Sequence, residues 1–578
     1  MIKRLLFSLG LALSLNACAT TDAAHAPVAT APFSTAPVAT AVPGMVSTAD
    51  PRATQAGVDI LRQGGSATDA AIAVMLALTV VEPQSSGIGG GGFYLRTDAT
   101  GETVSLDGRE TAPSGATPQW FLDENGERLG YTQAVIGGLS VGVPGNLALA
   151  AEAHARYGKL EWGELFAPAI ALASDGFAIT ERFREFLSFA QTRGGHTAQG
   201  RALFYNAQGE PLPAGTLVRN PALAATLTEL AQQGPDWLYQ GPAGDALAAL
   251  VRGETPGRTG MARQDIAGYA AIWREPVCAI YRAHKICGMG PPSSGATTVF
   301  ALLKQLEAHD LAALGPQSAT AWHLFAESQR LAYADRELYL ADADFVPVPV
   351  RGLIDADYLR ARGSLISATS RMAQVAPGTP PGAAYALADG EEAAESGTSH
   401  FVVTDARGNA VTYTSTIEGP FGSGLMFGGF FLNNELTDFS FVPEVDGRPV
   451  ANRVEGGKRP RSSMAPTLVF APDGSLRVAI GAAGGSTIPI QVAKTLIGVI
   501  DWNLPVDEAI ALPNLFSTGE KVTLEEAEML LAMRPALEAL GHEVGTRRAF
   551  GKANAVEWRD GGWVGAADPR SEGIALGQ

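Results

Sequence analysis

The sequence predicts an α+β fold in which a largely helical half precedes a strand-rich half. Three observations predict it. Residues 145–375 carry apolar side chains at helical spacing, as in LFAPAIALASDGF and AWHLFAESQRLAYADREL. From residue 400 the pattern becomes short alternating runs separated by turns: 400–404 and 410–416 around DARGN, then 467–470 and 476–482 around PDG. Between the halves, residues 375–396 (VAPGTPPGAAYALADGEEAAES) have no apolar period. They read as an exposed, mobile loop, a place where a chain can be cut without losing its fold.

The remaining elements follow in chain order. Lys3 and Arg4 precede an apolar run, residues 5–15, too short to cross a bilayer as a mature helix. It fits a signal peptide over residues 1–17. Leu15-Asn16-Ala17-Cys18 resembles the lipobox of bacterial lipoproteins, in which Cys18 would be lipidated; a plain signal peptide cut nearby fits the same run. Residues 18–42, rich in Ala, Thr and Pro, read as a flexible tether. The expectation is an exported protein of a Gram-negative-type bacterium, periplasmic or anchored to a membrane as a lipoprotein. Asp50 caps a helix with Pro51 in its first position, and Gly64-Gly65 end it. Thr68-Asp69 open a second, apolar helix running to about Glu82. A strand follows the run GIGGGG, and TVSLDGRETAP forms another ending near Arg109. The glycine run lacks a GK[ST] ending and follows a helix instead of opening one, so close backbone packing explains it better than phosphate binding.

Composition excludes several classes of function. A net charge of −17 without any cluster of Lys and Arg argues against a nucleic-acid partner. With 46% apolar and 17% charged residues, the chain can bury a large core. The 8 His residues form no HxxH or HxxxH pair, and no metal or organic cofactor is expected. Cys278 and Cys287, in EPVCAIYRAHKICGMG, fall on two strands around a short turn. They either pair in an oxidising compartment or stay as two small apolar residues, because spacing does not fix disulfide geometry.

The candidate chemistry centres on Gly397-Thr398-Ser399-His400, where the loop meets the first strand. A threonine hydroxyl is a weak nucleophile and needs a base. A cut before Thr398 would free an α-amine, of reference pKa about 8, on the same residue.

The stretches ESGTSHFVVTDARGNAVTYTSTIEGPFGSG, LNNELTDF, KRPRSSMAPT and GAAGGS resemble the small subunit of the γ-glutamyltranspeptidase (glutathione hydrolase) family. DPRATQAGVDILRQGGSATDAAIA, EPQSSGIGGGGF, LDGRETAP, VGVPG and PPSSGA follow that family's order in the first half. The likeness runs from about Val46 to Asp568-Pro569-Arg570. It implies an N-terminal-nucleophile hydrolase with a four-layer αββα sandwich and a mostly helical outer portion in the large subunit. It also implies self-cleavage into a large subunit, 43–397, and a small subunit, 398–578, that stay together as one interleaved fold. On this likeness Thr398 is the nucleophile and its own base, Thr416 orients it, and Gly484 and Gly485 supply the oxyanion hole. Arg109, Ser462 and Ser463 hold the donor's α-carboxylate; Glu418, Glu435 and Asp438 hold its α-ammonium.

Three features depart from the family pattern. Glu418 stands where several members carry Asn. Residues 439–461 look short for a lid, which would leave the site open to water and larger substrates. Cys278 and Cys287 have no counterpart in the pattern. The implied activity is attack of Thr398 on the γ-glutamyl amide of glutathione or a similar donor, with the acyl group passed to water or an amino acid. The short lid favours water. The alternatives are a cephalosporin (glutaryl) acylase of the same superfamily and a non-catalytic surface lipoprotein.

Overall fold

After Thr398 the side chains alternate as in a strand buried on both faces. Phe401 and Val403 point into the core beneath the first helices, and Val402 packs toward a second sheet. The computed structural model describes residues 44–383, 387–390 and 397–578; the signal peptide, Cys18, the tether and residues 391–396 of the loop lie outside them.

Seven strands make the first sheet. In chain order they are β1 (Met45–Thr48), β2 (Gly91–Thr97), β3 (Thr103–Gly108), β4 (Ile272–Arg274), β7 (Ser399–Thr404), β8 (Ala410–Thr416) and β13 (Ile574–Gly577). Every neighbouring pair is antiparallel, in the order β13-β1-β7-β8-β2-β3-β4. The second sheet contains β5 (Val277–Tyr281), β6 (His284–Gly288), β9 (Thr467–Phe470), β10 (Leu476–Ala482), β11 (Ala553–Arg559) and β12 (Gly562–Ala567), also antiparallel throughout. Met45, Leu95, Val402, Leu468, Ala479 and Val556 fill the space between the sheets. On the outer face of the first sheet lie α1 (Pro51–Arg62) and α2 (Ala67–Val81). On the outer face of the second lie α3 (Gly295–Lys304), α4 (Ala319–Tyr339) and α5 (Ile488–Ile500). The result is the four-layer αββα sandwich.

Local chemistry accounts for the elements that matter to the site. Asp50 caps α1, accepting from the Arg52 N–H, with Pro51 in the first turn. All 15 residues of α2 are buried, which is why it is apolar all round. Its cap is Ser66, not Thr68, because Asp69 completes a capping box with Ser66. The turn between β7 and β8 is set by Asp405, whose carboxylate accepts from the Arg407 and Asn409 N–H groups. Both sheets draw strands from before and after Thr398, so a cut there leaves each piece hydrogen-bonded to the other. Cys278 and Cys287 sit directly opposite each other on β5 and β6, with Cα atoms 4.1 Å apart, and form a disulfide. That resolves the two readings of these residues in favour of pairing.

Candidate active site

The turn after α2 runs beneath the start of β7. The Ser85 carbonyl accepts the Thr398 N–H at 3.1 Å. Thr398 Oγ1 donates to Thr416 Oγ1 at 3.0 Å, and the same Thr416 oxygen accepts the Glu418 N–H at 2.8 Å. Thr398 and Thr416 therefore meet as the sequence reading expected. Thr398 has φ 98°, a backbone state that costs a β-branched residue energy and persists only where its surroundings enforce it. Part of that enforcement comes from Gly397. A Cβ on Gly397 would lie 1.8 Å from the Glu418 carbonyl oxygen, so no other residue fits there. The glycine run leading into β2 has the same explanation: a Cβ on Gly90 would lie 1.9 Å from the Thr416 carbonyl oxygen.

Gly484 and Gly485 follow β10 with φ values of 127° and 58°. Their N–H groups meet no acceptor among the described residues. Lys552 ties this turn to Thr398: its carbonyl accepts the Ala483 N–H at 3.0 Å, while its Nζ donates to the Thr398 carbonyl at 3.0 Å. His400 is not positioned as a base for Thr398. Its ring nitrogens pair with Thr414 and Thr412, and burial pushes its pKa down to about 3.

The charged residues pair with one another. Arg109 does not stand apart from the acidic set. Its guanidinium pairs with Glu435 through Nη1, and with Asp438 through Nη2 at 2.5 Å. Nε and Nη2 also donate to the Pro460 and Arg461 carbonyls at 3.1 and 2.8 Å. One arginine thus already pairs with two of the three carboxyl groups, as burial of charge demands. Glu418 accepts from the Asn434 side-chain amide. Ser462 Oγ accepts the Met464 N–H at 3.2 Å, and Ser463 Oγ accepts from Arg336 Nη2 at 2.7 Å. Arg109 lies against the Pro460 and Arg461 carbonyls, which immediately precede the serine pair.

With Gly397 and Thr398 joined, the candidate site is closed. Thr398 is 6% exposed and Glu435 fully buried. Residues 439–461 include a small hairpin over 444–449, and Phe441 ahead of it stacks on Phe121, 4.3 Å between ring centroids. Asn452 ties that segment to the site, donating to the Asp438 carbonyl and accepting the Arg461 N–H.

Several residues of the site carry no signal in the sequence. Glu82, Ser85, Asn434, Arg336 and Lys552 are examples; Glu110, beside Arg109, was the most accessible to reasoning. Both Glu110 carboxyl oxygens and Glu435 Oε2 are buried without a hydrogen-bond donor among the described residues. Two facing carboxyls satisfy one another only by sharing a proton. Burial accordingly lifts Glu110 from 4.5 to about 7, and burial lifts Glu435 well above its usual range. A carboxyl raised on folding stabilises the protein below its unfolded pKa and loses that contribution as pH rises through the folded value. A Thr398→Ala precursor is therefore expected to weaken between about pH 4.5 and 7, by roughly 2–3 kcal/mol, with Glu110→Gln flattening the slope. Urea midpoints at pH 5 and pH 8 measure this; equal slopes in the two proteins would refute it.

Thr398, Thr416, the glycine turn and the charged cluster converge on one end of the first sheet. A family sequence model described as Gamma-glutamyltranspeptidase matches residues 53–578. The chain belongs to the γ-glutamyltranspeptidase family. It is similar to the glutathione hydrolase proenzyme of Bacillus subtilis (strain 168), 36% identical over 546 residues, covering 92% of this chain and 91% of that one. It is also similar to the acylase ACY 1 proenzyme of Pseudomonas sp. (strain SE83), 36% identical over 546 residues, covering 92% and 93%. Among solved structures, cephalosporin acylase from Bacillus halodurans superposes with a TM-score of 0.81 at 25% identity, covering 97% of this chain and 99% of that one. Its relatives thus carry two kinds of name, glutathione hydrolase and acylase.

Proposed function

We propose that the chain cleaves itself before Thr398 and then hydrolyses or transfers γ-glutamyl groups. The observation that carries this is the contact of Thr398 Oγ1 with Thr416 Oγ1 at 3.0 Å, on a strained residue joined to a glycine that only glycine can replace. In the first step Thr398 Oγ attacks the Gly397 carbonyl carbon. The C–N bond to Thr398 breaks and the hydroxyl proton passes to the departing nitrogen. Water hydrolyses the resulting ester, leaving a Gly397 carboxylate and a Thr398 with free hydroxyl and α-amine.

In turnover the α-amine takes the Thr398 hydroxyl proton as Oγ attacks the γ-carbonyl of the donor. Gly484 and Gly485 N–H groups receive the oxyanion. The first product leaves with the proton, and water or an amino acid takes the acyl group. The buried ion pairs suit a zwitterionic head: the donor's carboxylate takes Arg109, and its ammonium takes Glu435 and Asp438. A zwitterion brings no net charge, so one set of ion pairs replaces another. Ser462 and Ser463 flank the carboxylate end, and Glu418 adds a third acceptor for the ammonium.

A glutaryl acylase is the second reading. Arg109 already pairs with both Glu435 and Asp438, so an acyl group without an α-amine does not leave them without a cation. Initial rates on γ-glutamyl and glutaryl p-nitroanilides separate the two. The γ-glutamyl substrate is expected to be turned over at least about 100-fold faster in kcat/KM, the scale of an unpaired buried charge. Equal or better glutaryl turnover would overturn the γ-glutamyl reading. Export, with Cys18 as a lipid anchor, remains part of the proposal; it is supported by Lys3-Arg4, the apolar run and Leu15-Asn16-Ala17-Cys18.

A further inference from the structure

Directly behind Thr398 lies a buried ammonium that the proposed reaction does not use. Lys552 stands just before β11 and is 5% exposed. Its Nζ donates to Glu82 Oε2 at 2.7 Å and to the Thr398 carbonyl at 3.0 Å, with Ser399 Oγ and Ser85 Oγ at 3.3 and 3.4 Å. Ser399 Oγ in turn donates to Glu82 Oε2 at 2.6 Å. A buried ion pair adds little net stability compared with packed apolar residues, so its presence beneath a nucleophile calls for another reason.

Geometry supplies one. Glu82 reaches Thr398 only through Lys552 and Ser399, so the positive end of the pair is turned to the nucleophile. The Thr398 nitrogen is two bonds from the carbonyl carbon whose oxygen Lys552 holds. A positive charge so placed disfavours a second positive charge on that nitrogen. It also fixes the peptide plane that follows Thr398, while the Ser85 carbonyl fixes the nitrogen. The other charged groups around this spot are Glu418 on the Thr416 side and, farther from Lys552, Arg182 and Asp50, with Glu572 beside them.

We infer that Lys552 is a positioning residue for Thr398: its ammonium anchors the Thr398 carbonyl and keeps the α-amine released by cleavage in its neutral, proton-accepting form. The inference rests on the reading of Thr398 as an N-terminal nucleophile. If that reading is wrong, the wild-type protein yields no fragment beginning at Thr398, a result independent of Lys552.

The test compares wild type, Lys552→Gln and Lys552→Arg for self-cleavage and for kcat/KM against pH on γ-glutamyl p-nitroanilide. Glutamine keeps a donor and loses the charge; arginine keeps both. The acidic limb, where activity rises as the amine loses its proton, is expected about one pH unit higher in Lys552→Gln and unmoved in Lys552→Arg. Should Lys552→Gln remain a folded precursor, cleavage by Lys552→Arg with a wild-type limb supports the same role, since charge is then what matters. An unmoved limb in Lys552→Gln, an equal shift in both variants, or failure of both to cleave while folded would overturn the inference.

Discussion

Thr398→Ala is expected to remain one chain through purification and to lose turnover by at least about 10⁴-fold, the scale of deleting a catalytic nucleophile. The two losses share one cause. The hydroxyl that would attack Gly397 is the hydroxyl that would attack substrate; Thr416 Oγ1 already accepts from it, and the Ser85 carbonyl holds the Thr398 N–H. Alanine removes that hydroxyl and little volume, so the four-layer fold should persist with an unchanged circular dichroism spectrum. Thr398→Ser offers the contrast: it restores a hydroxyl and is expected to cleave, more slowly. Denaturing electrophoresis over days, followed by assay, reads both. A Thr398→Ala protein that still splits at this bond would show that the hydroxyl is not the agent.

Arg109→Gln is expected to lower kcat/KM for the γ-glutamyl substrate by about 10²–10³-fold, equivalent to about 3–4 kcal/mol. Two effects add. The donor's carboxylate loses its charged fork, and Glu435 and Asp438 lose the cation that pairs with them. The second effect also costs the fold about 3–5 kcal/mol, as when any buried ion pair is broken from one side. Arg109→Lys should recover charge but not activity, because a point charge cannot meet Glu435, Asp438 and the Pro460 and Arg461 carbonyls together. Steady-state kinetics with urea midpoints on the same samples separates binding from folding. If Arg109→Gln kept wild-type kcat/KM, the assignment of the carboxylate end would be wrong.

Local signals carried much of the fold. Asp50-Pro51 marked the start of α1 because capping is decided within one turn. The β7–β8 hairpin was legible because Asp405 sets its own turn and the residues on either side alternate. The glycines of β2 were legible as close packing, though not what they pack against. The charged site was legible as a set of residues and not as an arrangement. Arg109 and Glu435 are 326 positions apart, and no spacing rule says whether they face substrate or each other. Lys552 and Glu82 are 470 positions apart, and each alone looks like an ordinary surface charge. How far this continuous chain buries the site was not legible from the length of residues 439–461. Length does not reveal that Phe441 on Phe121 and Asn452 on Asp438 hold this segment down while Gly397 is still attached.

The central claim is that the chain opens between Gly397 and Thr398 and works through the threonine so exposed. Intact-mass spectrometry with N-terminal sequencing of the purified wild-type protein tests it most directly. A fragment spanning residues 398–578, starting Thr-Ser-His, is the result expected. A fully active protein that remains a single chain, or one cut at any other bond, would contradict it.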